Sequence, residues 1–463
     1  LTCLLCTSAV QAQEVWDLQR CITYALENNL QIRQGELGVE IAKEDVKNNR
    51  GRLMPNLNGF ASNTWNFGQT IDRFTNQFAN TTVRSNNFSI NSDVTVFNGF
   101  QITNTLKQSQ LDLKAREFGT DKQRNDIQLQ VARAYLNILF NEELLAVAQN
   151  QLRLSQQQLE RTRKLSDAGS VPLGSVYDVQ AQVATEELNV VSAENSLALS
   201  KLSLKQLLQL EADTDMAINK PEIVLGDGTV LPARPSAVFG MAAGVMPEVK
   251  QAEYQLASAE KGLSIAKGGR SPSLSMSGSI GTGYSGLSSE VVGFTENGTE
   301  LIGNTASGEP VFAPVFETIS QDVSFSDQID QNLNRSVGLT LTIPFFNAFT
   351  TSTNIQRARL NKEIQETNLE LVRYQLRQEI EQAYADAVAA LKQYRASDRS
   401  VTSLQESFNY AEQRFNVGLM NAVDYSEAKN RLINAQSDRL RAKYDFVFKS
   451  KILEFYQGRP LTL

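Results

Sequence analysis

The sequence repeats itself on the scale of half its length. Displaced by 249 residues, Phe97-Asn98-Gly99-Phe100 falls on Phe346-Asn347-Ala348-Phe349, Ala134-Tyr135 on Ala383-Tyr384, Gly169 on Gly418 and Leu204 on Leu453. Nearer the start of each half the offset is 217, which carries Pro55 onto Pro272. The second half therefore holds an extra 32 residues between Pro272 and Phe346. Solenoid repeats run to about 20–50 residues, so a repeat this long is a whole structural half. Two such halves build quasi-equivalent parts of one object, and the content of one half sets what that object is.

Each half reads as strand, loop, strand, very long helix, tight turn and returning helix. Phe88, Ile90, Val94 and Val96 alternate with Ser89, Asn91 and Thr95, and Val337, Leu339, Leu341 and Ile343 alternate with Gly338, Thr340 and Thr342. Period two marks strands with one apolar and one polar face. In residues 57–67 the parity is less regular: Phe60 opposes Leu57, Trp65 and Phe67. A polar face of Ser, Thr, Asn and Gly suits a membrane barrel with a watery lumen; it suits a soluble sheet as well. Helical character then takes over. From Phe100 to Asp167 there is no proline, and Gly119 is the sole glycine. Ile127, Val131, Ala134 and Ile138 form a narrow apolar seam, as do Ile380, Ala383, Ala387 and Leu391, which is coiled-coil spacing. A helix of this length would span about 100 Å, far more than a compact domain needs. Gly169 and Gly418 stand where a helix C′ glycine is usual. The returning helices are about half as long as the outgoing ones. Helices near 31–52 and 248–268 would cover the remainder.

Residues 1–12 read as the end of a secretory signal, with Val10-Gln11-Ala12 as the small-x-small site. A buried first strand is the alternative. The first repeat is then 13–247: strands 57–67 and 86–97, long helix 100–167, tip 168–174, return helix 175–210 and an equatorial segment 211–247. The second is 248–463: strands 273–283 and 335–345, loop 284–334, long helix 347–417, tip 418–423 and return helix 424–457. Residues 284–334 are dense in Gly, Ser, Glu and Asn and read as a long polar loop, with 68–86 as its shorter counterpart.

Composition narrows the function. A net charge of −7 gives nucleic acid no electrostatic support. The chain has no histidine, so the commonest general base and zinc ligand are missing. No phosphate-binding loop or cysteine cluster stands out, and no enzyme, cofactor or metal site is expected. Only Cys21 lies beyond the signal segment, which leaves no partner for an intrachain disulfide. Cys3 and Cys6 follow Thr and Leu, an unfavourable context for lipid attachment. No run is long and apolar enough for a membrane helix.

The chain resembles the TolC-like outer-membrane efflux channels. The resemblance rests on Arg414-Phe415-Asn416-Val417-Gly418-Leu419 leading to Asp424, on the strand-to-helix junctions (Phe97, Asn98 and Phe100; Phe346, Asn347 and Phe349), and on Pro55 and Pro272 before their strands. It spans about Val15 to Tyr456. It implies an α+β membrane protein: a trimeric, 12-stranded transmembrane β-barrel, four strands per chain, continued by a periplasmic α-helical coiled-coil barrel. Four strands close no barrel alone, since single-chain barrels start at about eight. The residues themselves permit two chains or three, and the resemblance selects three. It also implies a passive exit duct of a tripartite efflux or type I secretion system. Its partners would be outer-membrane lipid, a periplasmic adaptor and an inner-membrane RND or ABC pump. The rival reading is a soluble periplasmic coiled-coil adaptor or scaffold.

For sites, the resemblance singles out the tips. The turns carry Gly169, Pro172 and Gly174 in one half and Gly418 and Met420 in the other. Asp424 and Glu427 lie three apart and so share a helix face. At the matching positions the family has lumen-facing carboxylates, which threefold symmetry would gather into an acidic ring at the periplasmic entrance. A helix N-cap is the alternative role for Asp424. The family's closed state also has a polar lock between tip coils. Phe415, Met420, Gly174 and Ser175 stand at its positions, so its tyrosine, arginine and aspartate are absent. Closure would rest on apolar tip contacts and the acidic ring.

Overall fold

The computed structural model describes residues 15–211, 213–221, 223, 225 and 234–463. The signal segment 1–12 lies outside them. A short strand β1 (Val15–Trp16) leads into helices α1 (Leu18–Asn28) and α2 (Leu30–Gly51). Strand β2 (Asn58–Asn66), a small hairpin of β3 (Thr70–Ile71) and β4 (Phe78–Ala79), and β5 (Val83–Phe97) follow. Helix α3 (Gln101–Asp167) turns back as α4 (Leu173–Leu208), and β6 (Ala217–Ile218) pairs in parallel with β1. The second half runs α5 (Pro235–Val245), α6 (Pro247–Gly268), β7 (Ser273–Ser285), β8 (Ser289–Asn304), β9 (Pro310–Asp322), α7 (Phe325–Gln331), β10 (Asn334–Thr342), α8 (Thr350–Asn416) and α9 (Ala422–Tyr456).

Two compact units result, and each draws on both halves of the sequence. One comprises residues up to Glu44, Gln110–Ala259 and Asn361–Leu463; the other comprises Asp45–Ser109 and Glu260–Leu360.

The first unit is helical. Of the first seam, Ile127, Val131 and Ile138 are fully buried and Ala134 is half-buried. Ile380, Ala383, Ala387 and Leu391 are buried in the second. Repeat-equivalent Leu204 and Leu453 are each 0% exposed. Around Tyr135 the core must satisfy a phenol as well as exclude water. The Tyr135 hydroxyl donates to Trp16 O (3.3 Å) and Asn219 O (2.6 Å), tying β1 and the segment after β6 to α3.

The second unit is built on an antiparallel sheet of order β10-β7-β5-β2, whose outer strands each have one free edge. Asn58 of β2 pairs with Asn91 of β5, and Ser275 of β7 pairs with Thr340 of β10. These two pairings are related by the offsets 217 and 249 read from the sequence. The register sorts side chains by face. Leu341 opposes Leu274, Leu339 opposes Met276, Met276 opposes Val94 and Ile280 opposes Ile90, so one face is apolar across the strands. Ser275, Ser277 and Ser279, with Thr95, Asp93 and Asn91 opposite them, line the other. Phe60 pairs with Ser89 and lies on that polar face, which accounts for its odd parity. Strand β10 stops at Thr342 rather than 345, because Pro344 has no N–H for a ladder.

The junctions into the long helices are alike. Phe97 and Phe100 meet edge to face at 5.4 Å, Phe346 and Phe349 at 5.7 Å. The side-chain oxygen of Asn98 accepts from Ile102 N (3.3 Å), and that of Asn347 accepts from Thr351 N (3.5 Å). Both turns require the left-handed region: Gly99 has φ +66° and Phe100 +61°, Ala348 +48° and Phe349 +64°. Glycine is needed at 99, where a Cβ would press on the backbone of Gly268.

The segment 284–334 departs from the expected polar loop. Strands β8 and β9 form a hairpin paired from Ser289–Asp322 to Asn304–Pro310, and α7 caps its exit. Beyond Gly281, β7 has no β10 residue beside it. The Gln328 side chain accepts from Ser285 N (2.9 Å) and donates to Ser285 O (3.0 Å), while Asn332 Nδ2 donates to Gly283 O (2.8 Å). These amides satisfy an edge a strand would otherwise cover.

Candidate functional site

Both long helices end in the same device. Ser170 N donates to Leu165 O and Gly169 N to Ser166 O; Leu419 N donates to Arg414 O and Gly418 N to Phe415 O. Gly169 has φ +72° and Gly418 +78°, as this type of helix end demands. The returning helices begin slightly before the expected points. Helix α4 starts at Leu173, with Pro172 as an N-cap that makes no side-chain bond, so Gly174 and Ser175 belong to its first turn. Helix α9 starts at Ala422.

That start settles the capping question against Asp424. The N-cap is Asn421, whose Oδ1 accepts from Asp424 N (2.8 Å) and whose Nδ2 donates to Asp424 Oδ2 (3.0 Å). Asp424 instead closes a reciprocal capping pair in the first turn, where its charge also suits the helix dipole. Glu427 accepts from Arg431 one turn later at 2.5 Å, and both side chains are more than half exposed. An open groove between α4 and α9 is lined by Asp178, Glu427 and Arg431. Asp178 and Glu427 stand 249 residues apart, so the repeat offset itself was the signal that could have found Asp178.

The second tip is packed. Phe415 stacks on Tyr425 at 4.6 Å, Phe408 lies 5.5 Å from Tyr425, and Met420 packs beside them. Burial pushes the Tyr425 phenol up to about 12, with the Glu412 carboxylate adding to the rise. The first tip leaves Leu173 and Tyr177 exposed. Gly174 has open space around its Cα. The polar-lock positions thus divide: Phe415 and Met420 join an apolar cluster, and Gly174 faces open space.

Above the tips lies a contact with no sequence signal. Lys429 of α9 is buried with Glu186 of α4; their charged atoms are 3.6 Å apart. Lys429 Nζ also donates to Gln151 O (3.3 Å) and to the Ser155 hydroxyl of α3. Gln182 and Asn189 donate to the Glu186 carboxylate. Burial lowers the Lys429 pKa, and the Glu186 charge opposes that fall. A lone lysine in a polar helix reads as solvated surface, so pattern alone misses it. Among the described residues no group of three acidic or thiol side chains could hold a metal ion, and no helix is long and apolar enough to cross a membrane.

A sheet with one apolar and one polar face, in a chain that also forms helical hairpins of this length, fits the class of outer-membrane channel subunits. Comparison with known proteins narrows the class. The chain belongs to the outer membrane efflux protein family, whose sequence profile matches residues 21–209 and 240–458. It is therefore an outer-membrane transport protein and not a soluble scaffold. Outer membrane protein TolC of Escherichia coli K12 is 22% identical over 424 residues, 91% of this chain and 78% of TolC. The cation efflux system protein CusC of the same strain is 21% identical over 443 residues, 91% of this chain and 82% of CusC. In fold, a crystal structure of CusC superposes with a TM-score of 0.77 at 18% identity, covering 96% of this chain and 92% of CusC. The outer membrane protein VceC of Vibrio cholerae gives 0.76 at 16% identity, covering 96% and 97%.

Proposed function

We propose that the protein is the passive exit duct of a tripartite efflux or type I secretion system. Three chains form it, each contributing four strands to a 12-stranded barrel and two helical hairpins to a periplasmic tunnel. The observation that carries this reading is the sheet: four strands, apolar on one face and polar on the other, with a free edge on β2 and on β10. A free edge in lipid leaves backbone groups unpaired at several kcal/mol each, so the edge of one chain must meet that of the next. The shared offsets of the β2–β5 and β7–β10 pairings support an origin by internal duplication, with repeats at 13–247 and 248–463. The duct has no energy source of its own. Cargo is handed to it by an inner-membrane RND or ABC pump through a periplasmic adaptor that meets the tips.

At the periplasmic entrance Asp424 and Glu427, joined by Asp178, form the acidic ring, and Arg431 trims its charge. The test is reconstitution. The protein extracted in mild detergent should run as a heat-labile trimer and form cation-preferring channels in planar bilayers. The pair Asp424→Asn with Glu427→Gln should weaken that preference and leave the trimer intact. A monomer in detergent would overturn the barrel; unchanged selectivity in the double variant would overturn the ring.

A further inference from the structure

The loop between β2 and β5 lies on one face of the sheet and is fastened there. The Ser285 hydroxyl of β7 donates to Asp72 Oδ2 at 2.5 Å. Asp72 Oδ1 accepts from Phe74 N (3.0 Å), Thr75 N (2.7 Å) and the Thr75 hydroxyl (3.0 Å). The carboxylate is 3% exposed and is satisfied wholly by hydrogen bonds, with no cation against it among these contacts. Next to it the Phe74 ring lies against Gly283, where any side chain would overlap it. The register fixes which face this is. Gly283 and Ser285 continue the series Ser275, Ser277, Ser279 and Gly281, the polar face of β7. The other face is occupied differently at the same height: Phe325 of α7 meets Phe88 and Tyr284, and Thr282 donates to Ile329 O.

The small hairpin β3–β4 is itself two-sided. Thr70 pairs with Ala79, which is buried, and Ile71 pairs with Phe78, both exposed. With its inner side held to the sheet, the apolar pair Ile71 and Phe78 is turned away from it. Arg73 at the hairpin tip is exposed.

We propose that residues 68–82 form a latched constriction inside the outer mouth of the duct, with Asp72 on Ser285 as the latch and Ile71 and Phe78 as the apolar rim. This rests on the channel reading, in which the polar face lines the lumen. Three hairpins then approach one another across the opening. An apolar rim admits small solutes and resists wide polar ones until the latch gives way, because a narrow apolar pore dewets. The hairpin thereby sets the size limit at the exit, independently of the tips.

The test is thiol labelling from outside intact cells. Ser277 lies on the polar face and is exposed, so Ser277→Cys places a reporter within the lumen. Cys21 is buried and its thiol is pushed up to about 12, chiefly by burial and then by Asp17; the parent chain without the reporter gives the background. A small maleimide should label Ser277→Cys quickly, and a maleimide on a long polyethylene glycol chain slowly. Adding Asp72→Asn or Ser285→Ala should speed the bulky reagent about tenfold, the population shift expected for losing a hydrogen bond to a charged group. Heat-labile trimer on a gel reports that each variant has assembled. Replacement of residues 70–79 by a short Gly-Ser linker should make the two reagents equal, and it does not depend on the latch variants folding. Equal labelling by both reagents in the Ser277→Cys chain, or an unchanged ratio in the linker variant, overturns the constriction. Failure of the small reagent to reach Ser277→Cys overturns the lumenal assignment of this face and the constriction with it, a result distinguishable from the first two.

Discussion

The two tips share a backbone and differ in how their side chains cap and pack it. Each closes with the same pair of backbone bonds around a left-handed glycine, Gly169 or Gly418. The first then starts its return helix from Pro172 with no side-chain cap and leaves Leu173 and Tyr177 exposed. The second caps with Asn421 and builds an aromatic stack of Phe408, Phe415 and Tyr425. At the tips, quasi-equivalence therefore holds for the chain path and weakens at the caps and aromatic packing. The hairpin of the second half carries its own small core and can behave as a rigid lever. The first hairpin is also tied to the second through Glu186 and the α3 groups that receive Lys429.

The contrast can be broken most forcefully at that buried pair. Glu186→Leu leaves the Lys429 charge buried without its partner and should cost about 3–5 kcal/mol. Adding Lys429→Met should recover most of it, since a well-packed apolar pair often matches a buried ion pair. Thermal melts of the extracted protein check both, and equal loss in single and double variants would break the assignment. The same pair sets a pH dependence. The folded Lys429 value lies below its ordinary 10.5, so within that window the unfolded chain binds more protons. Stability from this group should rise with pH between the two values, and the wild-type slope minus that of Lys429→Met isolates it.

Next in size is the aromatic stack. Tyr425→Ala should cost about 3–4 kcal/mol, and Val176→Ala at the repeat-equivalent position clearly less, because a larger void is left at the second tip. Similar costs at both positions, measured by urea unfolding of the helical unit, would erase the difference between the tips. Charge comes next. Arg431→Gln frees Glu427 and should raise cation preference in bilayers while leaving Asp424 with its Asn421 contacts; a fall would show that Glu427 lies away from the conducting path. The smallest effect concerns the caps. Asn421→Ala should cost about 1 kcal/mol, whereas Pro172→Ala, with no cap bond to lose, should change stability little.

What the sequence discloses follows from periodicity. The seams at Ile127–Ile138 and Ile380–Leu391 keep their spacing over about three turns each, and the core forms there. The strand faces follow the alternation, Phe60 included. The hairpin β8–β9 escaped because its alternation is broken. Register shifts between Val291 and Gly293, Glu296 and Thr299, and Leu301 and Gly303 repeatedly reset the parity of β8. Pro310 and Pro314 argue against a strand in β9, yet they are tolerated in a two-stranded ribbon with free edges. At the second tip, the helix face shared by Asp424 and Glu427 could be read from spacing alone. Asn421 as the cap, Arg431 as the counter-charge and Lys429 as a buried pin could not, since each depends on which neighbour lies within reach.

The free edges of β2 and β10 also have a genetic meaning. If three chains close the barrel as proposed, every subunit offers one edge to each neighbour, so a single faulty chain spoils two seams at once and takes two sound partners out of use. A lesion at Asn58–Asn66 or Asn334–Thr342 that blocks pairing while sparing the helices would act as a dominant poison when expressed beside the normal gene. A lesion that prevents the whole chain from folding would be recessive, because such a chain never reaches the assembly it could ruin.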